Sequence, residues 1–437
     1  MNIHEALDGK PVISSRLRPT PVNAKLYLYV ALSNTLLHQG IFILYLIDLG
    51  FSAFEVSVLQ ALLFVSVSVA SVPVGLLVDR IGARAAAALG QVIIATILFS
   101  QVFGPSSFWF FLILFFAHGV GLTFRDNSEL VILYETAERS GQGAETAFPV
   151  LRSRCTAIRA ATVSIAIIIG GFIQPFSWTL VYVISGTAAA LAGVLATVLL
   201  PAPSAAAEKA AGKGDTDDEV AVSRWQVLES MGGGWALLLV VSSLMHGTLT
   251  PFLIFSQTIL KDQSVSTPAI AVTMAGVYTL GVIAPLLAPR AMRRFPTMFL
   301  AGSTLTLLTA GLILASLGVG PITIAVVLIA ASVPEVTAIA LDFSIQDEMP
   351  ADNRGTLTGV VTLLESTVIG AAYLGFGAVA VALGSTGSAG AFAALPFLAL
   401  LIVVVAWLVK PAMVRKLDTD GESDETIHHD SVVETKL

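Results

Sequence analysis

The sequence predicts an all-α membrane protein with twelve transmembrane helices in two pseudo-symmetric six-helix bundles. Three observations predict it. The 437-residue chain is 55% hydrophobic and only 12% charged, with a mean hydropathy of +0.85. A water-facing globular surface needs about 25% charged residues, and disorder needs the opposite balance. Twelve stretches reach the roughly 20 apolar residues that cross a bilayer. Finally, the basic residues alternate with those stretches. Of 23 Lys and Arg, Arg125 and Arg159 fall inside spans and Lys261 lies in an outer connection. The other 20 fall at the termini or in even-numbered connections. By the positive-inside rule both termini are cytoplasmic, in a multi-pass protein of the inner (cytoplasmic) membrane.

The spans run over 26–48, 54–77, 85–103, 107–134, 155–175 and 178–200, then 233–258, 267–288, 297–318, 321–343, 355–383 and 387–409. Residues 1–25 form a cytoplasmic N-terminal segment and 26–200 the first bundle. Residues 201–231 form a cytoplasmic linker, with an interfacial helix expected around Trp225. Residues 232–410 form the second bundle and 411–437 an acidic tail. The first span is too long for a signal-peptide core and follows polar residues, so it is read as a retained helix. The formal net charge of −7 belongs to the linker and the tail; the rest of the chain is near +2. Cys155 is the only cysteine, so no intramolecular disulfide forms.

The two halves read as distant repeats. Gly75-Leu-Leu-Val-Asp79-Arg80-Ile-Gly82-Ala-Arg84 after span 2 aligns with Pro285-Leu-Leu-Ala-Pro289-Arg290-Ala-Met-Arg293-Arg294 after span 8. Span 2 opens with the capping-box pattern Ser52-Ala-Phe-Glu55, and span 8 with Ser266-Thr-Pro268. His38 and His246 fall within about a turn of equivalent positions.

Ionisable side chains at bilayer depth are costly and usually face a bundle interior or a wet cavity. Arg125 and Glu129 stand four apart on span 4, and Arg159 lies at similar depth in span 5. With Asp126 they read as one neutral cluster, in which Glu129 and Arg159 form a structural ion pair. Glu335 and Glu365 lie deep in spans 10 and 11, with no basic residue of the second half at that depth. A carboxyl group kept from water and from cations favours its protonated form. That suits a proton carrier, and Glu335, Glu365, Asp126 and Glu129 are the candidates. His38, His118, Arg125, His246 and Asp342 are candidates for a substrate cavity. No histidine pair inside the spans stands at ligand spacing, so no metal site is expected, and the chain lacks a P-loop and a nucleophile elbow. Neither a cofactor nor an enzyme activity is expected, and no nucleic-acid patch stands out.

Gly75-x-x-x-Asp79-Arg80-x-Gly82-x-Arg84 resembles the loop 2–3 motif of the major facilitator superfamily, with Ala83 where a basic residue is common. Phe124-Arg-Asp-Asn-Ser-Glu129 followed by an apolar run and Tyr134-Glu135 is similar to span 4 of one bacterial branch, drug- and metabolite-efflux-like. Pro350-Ala-Asp-Asn-Arg354-Gly-Thr resembles that family's segment entering span 11. Span 5 keeps Gly170-Gly171 without the Gly-Pro common among proton exchangers. The resemblance implies two bundles rocking about a central site, with spans 1, 4, 7 and 10 lining it. It also implies a cytoplasmic gate at Gly75, Asp79, Arg80, Gly82, Arg84 and Arg354.

The expected function is secondary active transport, as proton-coupled export of a small drug or metabolite by a monomer in the lipid bilayer. An importer or uniporter on the same fold is the first alternative. A non-transporting receptor or scaffold is the alternative of another class.

Overall fold

The structure is a computed structural model that describes residues 21–139, 144–198, 233–347 and 354–414. All regular elements among the described residues are helical. The linker, its expected interfacial helix and most of both terminal segments lie outside the described residues.

The first span is not one helix. It divides into α1 (Pro21–Ser33) and α2 (Phe42–Asp48), with turns between. The local chemistry explains the break. Ser33 Oγ and Asn34 Nδ2 donate to the Val30 carbonyl at 3.1 and 2.8 Å, and Thr35 Oγ1 donates to the Ala31 carbonyl at 2.9 Å. Side chains of this kind offer the backbone alternatives to the helical ladder. The released groups find partners on other helices. The Leu37 N–H donates to Ser185 Oγ at 2.9 Å, and the Ile43 N–H donates to Gln257 Oε1 at 3.2 Å. Irregular backbone at membrane depth survives where protein or a cavity satisfies it.

α3 (Ala53–Ile81) starts at the expected capping box. The Glu55 N–H donates to Ser52 Oγ at 3.2 Å, and the Ser52 N–H donates to Glu55 Oε2 at 2.8 Å. The chain then turns at Gly82, whose φ of +83° suits glycine, into α4 (Ala83–Phe103). α5 (Phe108–Glu138), α6 (Ala144–Ile173) and α7 (Trp178–Val198) complete the first half. α6 begins well before the expected residue 155.

The second half opens with α8 (Gly233–Asp262). α9 (Thr267–Ile283) follows Ser266, which takes the extended cap backbone without a side-chain cap bond. Pro285 and Pro289 then divert the chain through a 3-10 turn, Ala284–Leu287, into α10 (Ala288–Arg294). α11 (Thr297–Ala315) is followed by α12 (Gly320–Ala330) and α13 (Val333–Asp347). The break between α12 and α13 falls just before Pro334, which removes a helical hydrogen bond. α14 (Arg354–Phe392) and α15 (Ala394–Val409) end the bundle.

Among the described residues ten stretches, not twelve, are long and apolar enough to cross a membrane. Two local features separate the counts. The broken first span is made of two short helices. The last stretch, Val361–Val409, has 49 residues, about 73 Å if straight, against a hydrocarbon core of about 30 Å. It is interrupted at Gly384, whose φ of 73° and ψ of 168° are not helical.

The halves meet where α3 faces α14, α6 faces α9 and α2 faces α8. These contacts are tight at one end of the bundle. A Cβ on Gly377 would collide with Ser57, and one on Gly171 would collide with Ala271. Ser164 Oγ donates to the Ala275 carbonyl at 3.1 Å. Towards the other end, which bears the α3–α4 turn, the glycines of the same helices lack such contacts. A Cβ on Gly75, Gly281 or Gly370 would meet nothing within 4 Å. Gly75, a residue of the implied cytoplasmic gate, therefore makes no close helix approach in this conformation. Asp79 and Arg80 are exposed there. Neither forms an ion pair or hydrogen bond among the described residues. Arg84 instead donates to the Thr197 carbonyl, so it ties α4 to the last turn of α7 within one half. Arg354 begins α14, and its side chain lies outside the described residues.

Candidate functional site: a cavity between the halves

A cavity of about 240 Å³ lies between the two halves. The broken first span gives it His38 and Gln39. α3 adds Gln60 and Phe64, α4 adds Gln101, α5 adds His118 and Arg125, and α7 adds Tyr182. The second half contributes Thr250 and Ile254 from α8, Tyr278 from α9 and Tyr373 from α14. Phe115, His118, Leu122 and Arg125 follow helical spacing, so one face of α5 forms this wall.

The walls combine rings and hydrogen-bonding groups. His38 stacks on Tyr182, with ring centroids 5.0 Å apart and 26° between planes. Phe64 faces Tyr373 across the halves at 5.6 Å. Gln39 Nε2 donates to Tyr278 Oη at 2.7 Å, also across the halves. His38 Nδ1, Gln39 Oε1, Gln60 Nε2 and Tyr373 Oη are buried without a partner among the described residues. Buried polar atoms are rarely left so, and these four belong to residues that line one cavity.

The cluster expected on spans 4 and 5 resolves into two pairs. Arg125 Nε donates to Asp126 Oδ1 at 2.8 Å, with the two side chains 11% and 52% exposed. Arg159 Nη2 donates to Glu129 Oε1 at 2.6 Å, and the Glu129 side chain is only 5% exposed. Arg159→Leu would leave that buried carboxylate unpaired. We expect a loss of about 2 kcal/mol of stability, read as a lower unfolding temperature in detergent. Arg159→Leu combined with Glu129→Gln should recover most of it. Equal damage by the single and double variants would contradict a stabilising pair.

The second-half residues gather elsewhere. Ser242 Oγ donates to Glu365 Oε1 at 2.6 Å, and His246 Nδ1 lies 3.6 Å from the same oxygen. Glu365 therefore has a titratable basic partner, which corrects the expectation of an unpartnered carboxylate. Lys and Arg are absent at that depth of the second half, but the His246 imidazole of α8 is present. Glu335 and Asp342 lie within electrostatic reach of His246. None of these four ionisable groups lines the central cavity, and α12 and α13 contribute no residue to it. The implied lining by span 10 is thus not met. Glu365 sits eight residues before Tyr373 on α14, about 12 Å nearer the end that bears the α3–α4 turn.

Sequence reasoning missed Gln39, Gln60, Gln101, Tyr182, Tyr278, Tyr373 and Ser242. Three glutamines inside apolar spans were a usable signal, since a buried amide demands partners.

No curated protein matches the chain by sequence. Among solved structures, the nucleoside transporter NupG has a TM-score of 0.70 at 14% identity, covering 89% of this chain and 99% of that one. A bacterial homologue of the human lysosomal transporter Spinster, in an inward-facing and occupied conformation, has a TM-score of 0.66 at 14% identity. It covers 92% of this chain and 98% of that chain. These likenesses are to the fold. The family model of the Major Facilitator Superfamily matches residues 26–373, from the broken first span well into α14. The chain belongs to the major facilitator superfamily.

Proposed function

We propose that this protein is a proton-coupled secondary transporter that exports a small organic molecule by alternating access. In this reading the chain crosses the cytoplasmic membrane twelve times as a monomer, with both termini inside. α1 with α2 counts as one crossing, α12 with α13 as another, and the stretch through Gly384 as two. The end that bears the α3–α4 turn then faces the cytoplasm, and the structure is the inward-open state. Asp79, Arg80 and Arg354 act as the cytoplasmic gate when that end closes.

One observation carries the coupling: a carboxylate, a histidine and a hydroxyl share one site, Glu365–His246–Ser242, between the central cavity and the open end. Both ionisable side chains are partly exposed, Glu365 by 19% and His246 by 23%. A carboxylate that changes partner as access alternates can take a proton on one side and release it on the other. Glu335 and Asp342 add negative charge to the same region and hold the proton locally.

The test is flux in liposomes. Purified protein with an imposed pH gradient should accumulate substrate against its own gradient and dissipate the proton gradient in step. Substrate movement that is indifferent to the pH gradient would overturn the coupling. Movement down the proton gradient together with substrate would overturn the export direction.

A further inference from the structure

The central cavity has an uneven charge that bears on what it holds. Arg125 is the one permanently charged side chain among the described residues that line it, and no carboxylate lines it. Its side chain is 11% exposed, and among the described residues its one hydrogen bond is from Nε to Asp126. The two terminal amino groups of the guanidinium are left for the cavity. Asp126, half exposed, pairs with Arg125 through Nε alone. Glu129, one turn further along the same face of α5, is within electrostatic reach of Arg125 but is itself bonded by Arg159.

Geometry sets the rest. Side chains on a helix lean towards its N-terminus, so Arg125 reaches back along α5 towards His118, two turns earlier. In the same cavity the His38–Tyr182 stack forms one flat wall, and Phe64 of α3 with Tyr373 of α14 forms another. Flat aromatic walls suit a planar ring. The unpartnered atoms of His38, Gln39, Gln60 and Tyr373 suit hydrogen bonds around its edge. An apolar cavity of about 150 Å³ takes up benzene; this one, at about 240 Å³, has room for a substituted one- or two-ring system. A guanidinium with free terminal amino groups matches a carboxylate through two parallel bonds.

We propose that the central cavity takes a planar aromatic organic anion, with its acid group on the Arg125 guanidinium and its rings between the aromatic walls. The proposal rests on the transport reading above and names the substrate class of that site.

Equilibrium binding to the purified full chain in nanodiscs tests it with three probes of one shape: 2-naphthoate, 2-naphthamide and 2-naphthylmethylamine. Naphthoate should bind at least about tenfold tighter than the amide, or about 1.4 kcal/mol, and the amine weakest. Arg125→Gln should bring naphthoate down to the affinity of the amide and leave the amide unchanged. Arg125→Lys keeps the charge and should retain the anion preference in part. Equal binding of all three probes, a preference for the amine, or no saturable binding of naphthoate would overturn the assignment. So would a uniform loss across the probes in Arg125→Gln while Arg125→Lys binds normally. Binding needs no turnover, so its outcome is separate from the flux experiment. Anion preference without coupled flux would sink the transport mechanism and leave this site standing. Coupled flux without anion preference would do the reverse.

Discussion

Glu365→Gln is expected to abolish concentrative transport while leaving downhill exchange intact. Gln keeps the shape and can still meet Ser242 Oγ, which donates to Glu365 Oε1 at 2.6 Å, but it cannot exchange a proton in the working pH range. One pH unit across the membrane is worth about 1.4 kcal/mol per proton, or about tenfold accumulation. The variant should equilibrate labelled substrate between liposome interior and exterior and stop there. His246→Gln should weaken coupling in the same direction, because the imidazole is the partner 3.6 Å from the Glu365 oxygen. Full accumulation by Glu365→Gln would remove this carboxylate from the mechanism and leave Glu335 or Asp342 as the carrier.

Gly377→Leu is expected to push the protein out of the conformation described here. A Cβ at that position would strike Ser57 and come within 3.0 Å of the Ala53 carbonyl, so α3 and α14 must separate at the closed end. Overpacking of this kind costs about 1–3 kcal/mol, enough to change a two-state population by roughly five- to 150-fold. Gly75→Leu makes the opposite case. Nothing lies within 4 Å of its Cβ now, so the bulk is tolerated here and obstructs closure of the open end. Spin labels at residues 54 and 383, in a Cys155→Ala background, would read the separation across the closed end. That distance should lengthen in Gly377→Leu and stay unchanged in Gly75→Leu, and both variants should turn over slowly. An unchanged distance in Gly377→Leu would mean that this contact does not set the conformational balance.

The legible part of the site was its ionisable part. Cost in the bilayer marks a charged residue whatever its neighbours are, so Arg125, Glu129, Arg159, Glu335 and Glu365 stand out from a string of letters. Partner choice does not. Periodicity says which face of a helix a residue occupies, while pairing depends on how two helices are rotated about their axes. Hence the Arg159–Glu129 pair could be anticipated from shared depth, whereas Glu365–His246 joins α14 to α8 over 119 positions of sequence and was overlooked. Tyrosines carried little signal, because a tyrosine is compatible with lipid-edge, core or cavity, whereas a glutamine in an apolar span demands partners.

The sequence by itself determined the solvent, the helical class, the approximate spans and the caps and turns. Those follow from composition and from interactions within a few residues, such as the Ser52–Glu55 capping box and the positive φ at Gly82. Only the tertiary structure decided how the broken first span is satisfied, which end of the bundle is tightly packed and what the cavity presents. The first span divides because Ser185 and Gln257 are there to receive its released N–H groups. Gly75 and Gly377 look alike in sequence, yet one faces open space and the other meets a neighbouring helix. Such differences come from the placing of one half against the other, where segments far apart in the chain meet and short-range patterns carry no information.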